Sequence, residues 1–252
     1  MSAPTTPLRV VAVSAGLSQP SSTRLLADRL ATATRERLLA EQNPPSADRN
    51  RSIGVQGPED PVAEVQVSEV QVSETQIPEV QVIELRDLAV DIANHLVSGF
   101  PSARLREAID AVTAADGLIA VTPVFTASYS GLFKSFFDLI DNTALTGKPV
   151  VIAATGGTPR HSLVLEHALR PLFAYLRAVT VPTSVYAASE DWGSGGDEYT
   201  EGLPSRIRRA GGELASAMLG RTVSGASRTP GLDDGEDAVV PFEQQLAELR
   251  PR

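Results

Sequence analysis

The chain has 252 residues, 42% of them hydrophobic, enough to bury a full core as one large domain. It contains no cysteine, which excludes disulfides, thiolate nucleophiles and cysteine-held zinc or iron–sulfur centres, so any redox chemistry must reside in a bound cofactor. Most of the formal net charge of -9 falls in two stretches, residues 44–80 with seven acids and two arginines and residues 222–252 with six acids and three arginines; the remainder is close to neutral and offers nucleic acid no basic surface.

No run approaches the roughly 18 apolar residues of a membrane span, and the N-terminus lacks a basic segment followed by an apolar one, so the expectation is a cytoplasmic protein without a membrane partner. The first strand is expected over Leu8–Ser14, and a helix over about 21–41. Between them runs "SAGLSQPSSTR", residues 14–24, small and rich in hydroxyls. A helix head leaves backbone N–H groups unpaired and carries about half a positive charge, which suits it to phosphate. Ser14, Ser18, Ser21, Ser22 and Thr23 can add hydroxyl donors, and Gly16 is the loop's only glycine. The pattern is neither a P-loop nor the G-x-G-x-x-G dinucleotide turn. It suits a monophosphate such as that of FMN; the alternative is that Ser21 or Ser22 only caps the helix.

Next comes a repeat, EVQVS, EVQVS, ETQIP, EVQVI, over residues 64–83. Each copy alternates like a strand, but the odd period of five turns successive copies to opposite faces, so no continuous apolar face forms. Residues 44–78 are therefore expected to be a disordered low-complexity insertion before strand two, which is placed at about 79–85; an extra edge hairpin is the alternative. Further strands are expected at Gly117–Thr122, Pro149–Ala154 and Val179–Ala187, and helices at about 101–114, 130–141, 161–177 and 203–219. Short Val- and Ile-rich strands alternating with helices predict a doubly wound α/β domain with a five-stranded parallel sheet, spanning residues 1–221. Residues 222–252 read as an acidic tail with one short amphipathic helix over Phe242–Leu249.

Such sheets take ligands at the carboxyl ends of their strands. After strand three, Pro123 is expected to force a turn, and Val124, Phe125 and Thr126 to offer exposed amides beside an aromatic face, the combination a flavin ring requires. Phe133, Phe136 and Phe137 fall on the following helix and read as core. After strand four, Thr155, Gly156, Gly157 and Thr158 let main chain approach a ligand closely. Arg160, His161 and Lys134 are candidates for the phosphates of a nicotinamide nucleotide, against a surface or capping role. His161 and His167 lie on different sides of a regular helix, so no metal site is expected. Trp192, the single tryptophan, lies at a strand end and reads as packing at a subunit interface, with a cover over the flavin as the alternative.

Together the three loops resemble the NADPH-dependent FMN reductase family. The family's first loop is matched by Gly16–Thr23, with Ser18 where arginine is usual; its Pro-x-Tyr loop by Pro123-Val124-Phe125; its following Gly-x-x-Lys by Gly131 to Lys134; and its glycine-rich third loop by Thr155–Thr158. The resemblance implies a flavodoxin-like fold with strand order 2-1-3-4-5, FMN and NADPH as ligands, and hydride transfer from NADPH to FMN with no catalytic side chain. The segments "GGTPRHSLVLEHALRPLFAYLRA" and "VPTSVYAASEDW" look like a branch paired with luciferase-like monooxygenases, which implies a homodimer or homotetramer and a monooxygenase partner. A flavodoxin-type FMN electron carrier, or a quinone or azo reductase, is the alternative.

Overall fold

The computed structural model describes residues 6–42, 77–193 and 202–224. The first two copies of the repeat, all but the end of the insertion, and nearly all of the acidic tail with the helix expected over Phe242–Leu249 lie outside the described residues, while the last copy forms part of β2. Residues Met1–Gly220 make one compact unit; a second, Arg221–Arg252, is described only over the helical residues 221–224.

Strand β1 (Arg9–Ser14) leads into helix α1 (Ser22–Gln42), and β2 (Glu79–Glu84) follows. A 3-10 turn (Leu85–Leu88) then leads to α2 (Ala89–Ser98) and α3 (Ala103–Ala114). The chain returns through β3 (Gly117–Phe125), folds back as β4 (Ser128–Tyr129), and continues into α4 (Gly131–Phe137) and β5 (Pro149–Gly156). The remainder is α5 (Arg170–Tyr175), β6 (Val179–Thr180), β7 (Val185–Ala188) and α6 (Leu203–Ser224). The main sheet is parallel in the order β2-β1-β3-β5-β6, with β7 also beside β5. With β6 and β7 counted as the fifth strand, this is the expected 2-1-3-4-5 order.

The period-2 alternation of the strands sends their side chains into two cores. Val11, Val13, Leu118, Ala120, Val150 and Ile152 face α2–α5, while Val10, Ala12, Ile119, Val121, Val151 and Ala153 face α1 and α6. Helix α1 buries Leu26, Leu30, Thr34 and Leu38 along one stripe. Gly211 of α6 is needed there, because a side chain would press within 2.9 Å of Ala33 Cβ and the Thr34 backbone nitrogen. On the other face Phe133, Phe136, Phe137 and Phe173 form a fully buried aromatic cluster, with the Phe133–Phe137 centroids 4.7 Å apart and Phe137–Phe173 5.0 Å. The three phenylalanines of α4 are thus core side chains.

Four elements differ from the sequence expectation. Helix α2 has no counterpart in it, although Gly99 after the segment adopts the left-handed conformation (φ 76°) of a helix stop. The fifth strand is split at Pro182, which has no N–H for the ladder. The helix expected over 161–177 is a 3-10 turn (Pro159–His161), then a π turn (Leu165–Leu169), then α5. Pro171 explains the widening: its ring would crowd the His167 carbonyl in a regular helix, and Arg170 N instead bonds to Leu165 O. Finally, Pro123 does not turn the chain. Val121 O accepts from Ala15 N, so Pro123, two residues on, faces the same edge beyond the end of β1, where no ladder bond is lost. The strand runs on to Phe125 and reverses at Thr126 (φ 49°) and Ala127 (φ 64°).

Candidate functional site

Because β1, β3 and β5 are neighbours, with Ser14 level with Val121 and Pro123 level with Thr155, the three loops expected to bind a ligand emerge side by side. Loop one passes from β1 to the head of α1. Ser14 is buried at the strand end, and its hydroxyl is one of the buried side-chain atoms without a hydrogen-bond partner. Gly16 is buried, and a Cβ there would collide with Ser21 Oγ. Ser21 Oγ accepts from Arg24 N at 3.2 Å, so Ser21 is the cap of α1. Capping leaves the first-turn amides of Ser22 and Thr23 without intrahelical partners. Ser18 and Ser22 are exposed, whereas Thr23 is buried with its hydroxyl 2.8 Å from that of Thr155. That bond ties loop one to loop three; it places Thr23 in the wall and leaves its hydroxyl already paired.

Loop two is the β3–β4 hairpin. Its two reversing residues both have positive φ, and neither is glycine or asparagine, so the turn carries local strain of the kind that surrounding structure must hold. Thr122, which sequence reasoning passed over, does the holding: its buried Oγ1 accepts from Ser130 N at 3.0 Å. Ser130 in turn caps α4 by accepting from Phe133 N at 3.1 Å. The result is an exposed Phe125 (46%) at the rim, beside Val124 and Thr126, while Tyr129 is half-buried and its ring lies 6.0 Å from that of Phe133.

Loop three leaves β5 after Gly156. Gly156 packs against Tyr186 so tightly that a Cβ would strike the phenol oxygen, whereas Gly157 faces open space. Tyr186 donates to Thr158 O at 2.7 Å. Burial, and secondarily the Asp191 carboxylate, push this phenol above its ordinary pKa, keeping it a neutral O–H donor. Arg206 of α6 holds the assembly from behind, donating to Tyr186 O at 2.8 Å and to Asp191 Oδ1 at 3.1 Å. Asp191 Oδ2 also accepts from Ala188 N at 2.7 Å.

The other candidates sit apart. Arg160 and His161 are exposed on the 3-10 turn that ends loop three. Lys134 pairs with Asp138 one turn along and faces a different cavity of about 770 Å³, lined also by Tyr129, Phe137, His167 and Tyr175. That cavity shares Ser128 and Tyr129 of the hairpin and no residue of loops one or three. Trp192 packs on the α1–α6 core, with the Arg29 guanidinium 5.1 Å from its ring centre.

Residues 62–193 match the family model described as NADPH-dependent FMN reductase. The chain belongs to this family. It is 44% identical over 142 residues to an FMN reductase (NADPH) of Pseudomonas aeruginosa, a match that covers 55% of this chain and 74% of the relative. Its fold resembles that of an oxidoreductase from Corynebacterium diphtheriae, with a TM-score of 0.69, 41% identity, and coverage of 86% of this chain and 99% of the other. A flavodoxin, WrbA-like protein from Agrobacterium tumefaciens shares the fold at 15% identity and a TM-score of 0.50, covering 85% and 99% of the two chains. This member of the NADPH-dependent FMN reductase family is therefore an oxidoreductase with the flavodoxin-like α/β fold.

Residues that sequence reasoning missed lie behind the loops: Thr122, Tyr186, Asp191 as a cap, Arg206, and a Glu84–Arg86 pair beside loop one. Glu84 Oε1 accepts from Arg24 Nη1 at 2.6 Å and Oε2 lies 2.8 Å from Arg86 Nη2.

Proposed function

We propose that this protein reduces FMN with NADPH, with the flavin phosphate at the head of α1 and the ring between Phe125 and the main chain of loop three. The carrying observation is the juxtaposition of the three loops at adjacent strand ends, with first-turn amides at one side and an exposed aromatic at the other. An orphaned hydroxyl on Ser14, a glycine at 16 where a Cβ would collide with Ser21 Oγ, and open space at Gly157 all fit such a ligand. Held there, FMN would supply the acceptor for a hydride, two electrons and a proton, given by the nicotinamide. The chain's own part is positioning: the amides of Ser22 and Thr23 and the hydroxyls of Ser18 and Ser22 orient the phosphate, and Gly156, Gly157 and Thr158 bring main-chain groups to the ring. No side chain of the three loops is required as a general acid or base. Arg160 and His161, exposed at the end of loop three, serve the NADPH phosphates in this reading.

The test is NADPH absorbance with purified protein and FMN. Catalytic consumption is expected; its absence with FMN and with a quinone acceptor removes the reading. A single-electron carrier would instead hold FMN between two aromatic faces, and loop two presents one exposed aromatic ring.

Reduced FMN is a diffusible product, which supports a flavin-dependent monooxygenase as partner. Exposed Val97, Phe100 and Tyr175 (91%, 82% and 72%) support assembly as a homodimer or homotetramer, which light scattering measures. A cytoplasmic location completes this reading. Among the described residues no helix is long and apolar enough to cross a membrane.

The reductase domain in this reading is residues 1–221, with the insertion dispensable. Deleting residues 46–76 is expected to leave the melting temperature and flavin turnover within experimental scatter, because β2 begins only at Glu79 and pairs along its whole length with β1. A fall of Tm beyond about 3 °C, equivalent to about 1 kcal/mol for a domain of this size, would make the repeats structural.

A further inference from the structure

Loop one of this chain has serine at position 18, and no lysine or arginine lies between Ser14 and Thr23. A phosphate there would meet amides and hydroxyls but no cation from the loop itself. The structure brings one from elsewhere. Arg86, two residues beyond the end of β2, sends Nη1 to the Ser18 carbonyl at 3.1 Å. With the Gln19 amide oriented so that its oxygen faces the guanidinium, Gln19 accepts from the same Nη1 at 3.0 Å. Arg86 therefore grips two consecutive residues of the loop while its side chain is only 17% exposed. Its buried Nε lies 3.6 Å from Asp87 Oδ1, so the guanidinium is held between Asp87, Glu84 and the loop.

Glu84 complicates the picture. Its carboxylate lies between Arg86 and Arg24, and Arg24 also pairs with Asp28 at 2.8 Å. Arg24 thus points along α1 and across to β2, engaged at both ends, whereas Arg86 is the guanidinium in contact with the loop. Glu84 anchors both and weakens the positive field each projects.

We infer that Arg86 is a positioning residue for the flavin phosphate: it fixes loop one at Ser18 and Gln19 and provides there the positive charge that the loop's own sequence lacks, with Glu84 and Asp87 moderating it. This rests on the placement of the phosphate at the head of α1 proposed above. It predicts opposite effects from two neighbouring substitutions, which a merely structural brace would not give.

The experiment is titration of flavin fluorescence with FMN and with riboflavin, which lacks the phosphate, at low and moderate salt. Arg86→Gln is expected to weaken FMN about fivefold, the scale of one partly screened unit charge, with riboflavin changed by less than about twofold. Raising the salt should narrow the FMN difference. Arg86→Lys should retain most of the preference for FMN, and Glu84→Gln should tighten FMN about twofold relative to riboflavin, since it removes an opposing charge. Parallel losses of FMN and riboflavin in Arg86→Gln, a Lys variant as weak as the Gln variant, or a loss of FMN affinity in Glu84→Gln would each overturn the assignment. The Ser21→Asp variant separates the two layers. If it leaves FMN affinity unchanged, the phosphate is not at loop one and both readings fall; if it weakens FMN while Arg86→Gln does not, only the Arg86 assignment falls.

Discussion

Ser21→Asp is expected to raise the FMN dissociation constant about a hundredfold while leaving the melting temperature almost unchanged. Ser21 sits beside the proposed phosphate position, and this substitution separates helix capping from phosphate binding. Ser21 caps α1 through Arg24 N, and aspartate caps as well as serine does, so the helix head survives. The new carboxylate, however, lies against a phosphate that is nearly a dianion. Two unit charges about 4 Å apart at an effective dielectric of about 20 repel by about 4 kcal/mol, and partial exposure reduces this to roughly 3 kcal/mol, or about two decades of affinity. Riboflavin should bind as before. Ser21→Ala makes the complementary control: loss of the cap costs about 1 kcal/mol of stability with only a modest change in FMN affinity. Equal losses of FMN and riboflavin in Ser21→Asp would show that the variant damages the loop itself. An unchanged FMN affinity would move the phosphate elsewhere.

The expected dual role of loop one shows what a sequence of this kind discloses. The sheet was legible because buried parallel strands need β-branched and apolar residues on both faces, and "RVVAVS", "LIAVT" and "VVIAAT" can satisfy that in few other ways. The three loops were legible because topology places ligand sites at strand ends, so small and glycine-rich segments there gain meaning from position. The supports of the loops were not. Tyr186 reads as one more strand residue until β7 is seen to bring its phenol over Gly156 and Thr158 from 28 residues away. Arg86 and Ser18 are 68 residues apart, with the whole insertion between them. Local pattern also misjudged where backbone geometry is decided by neighbours. Pro123 is a turn signal in isolation, yet it continues β3 because β1 has already ended on the side it faces. Pro171 reads as an ordinary residue of a helix, yet it widens the preceding turn.

Of these supports, Tyr186 makes the sharpest prediction. Gly156→Ala is expected to lower kcat/KM for FMN by about tenfold and stability by roughly 1–3 kcal/mol, the usual range for overpacking a filled site. The added methyl would collide with the Tyr186 phenol oxygen, and that residue is 4% exposed with its backbone carbonyl held by Arg206, so it has little room to retreat. Displacing the phenol also breaks its bond to Thr158 O, which frees the segment that presents Gly157 and Thr158 to the ring. Tyr186→Phe alone removes that bond without crowding, and should cost about 1 kcal/mol with a smaller effect on kcat/KM. Combined, the two changes must not add. Removing the oxygen leaves the methyl facing the ring carbon Cζ, 3.2 Å from the position of an added Cβ, a contact relieved by a shift of a few tenths of an ångström. The double variant is therefore expected to be more stable than Gly156→Ala by about 1 kcal/mol; since Tyr186→Phe alone costs about 1 kcal/mol, the coupling is about 2 kcal/mol, within the range found for residues in direct contact. Thermal unfolding of the four proteins measures it. Additive losses would mean that the phenol and Gly156 do not compete for one space, and the third loop would then owe its shape to something other than Tyr186.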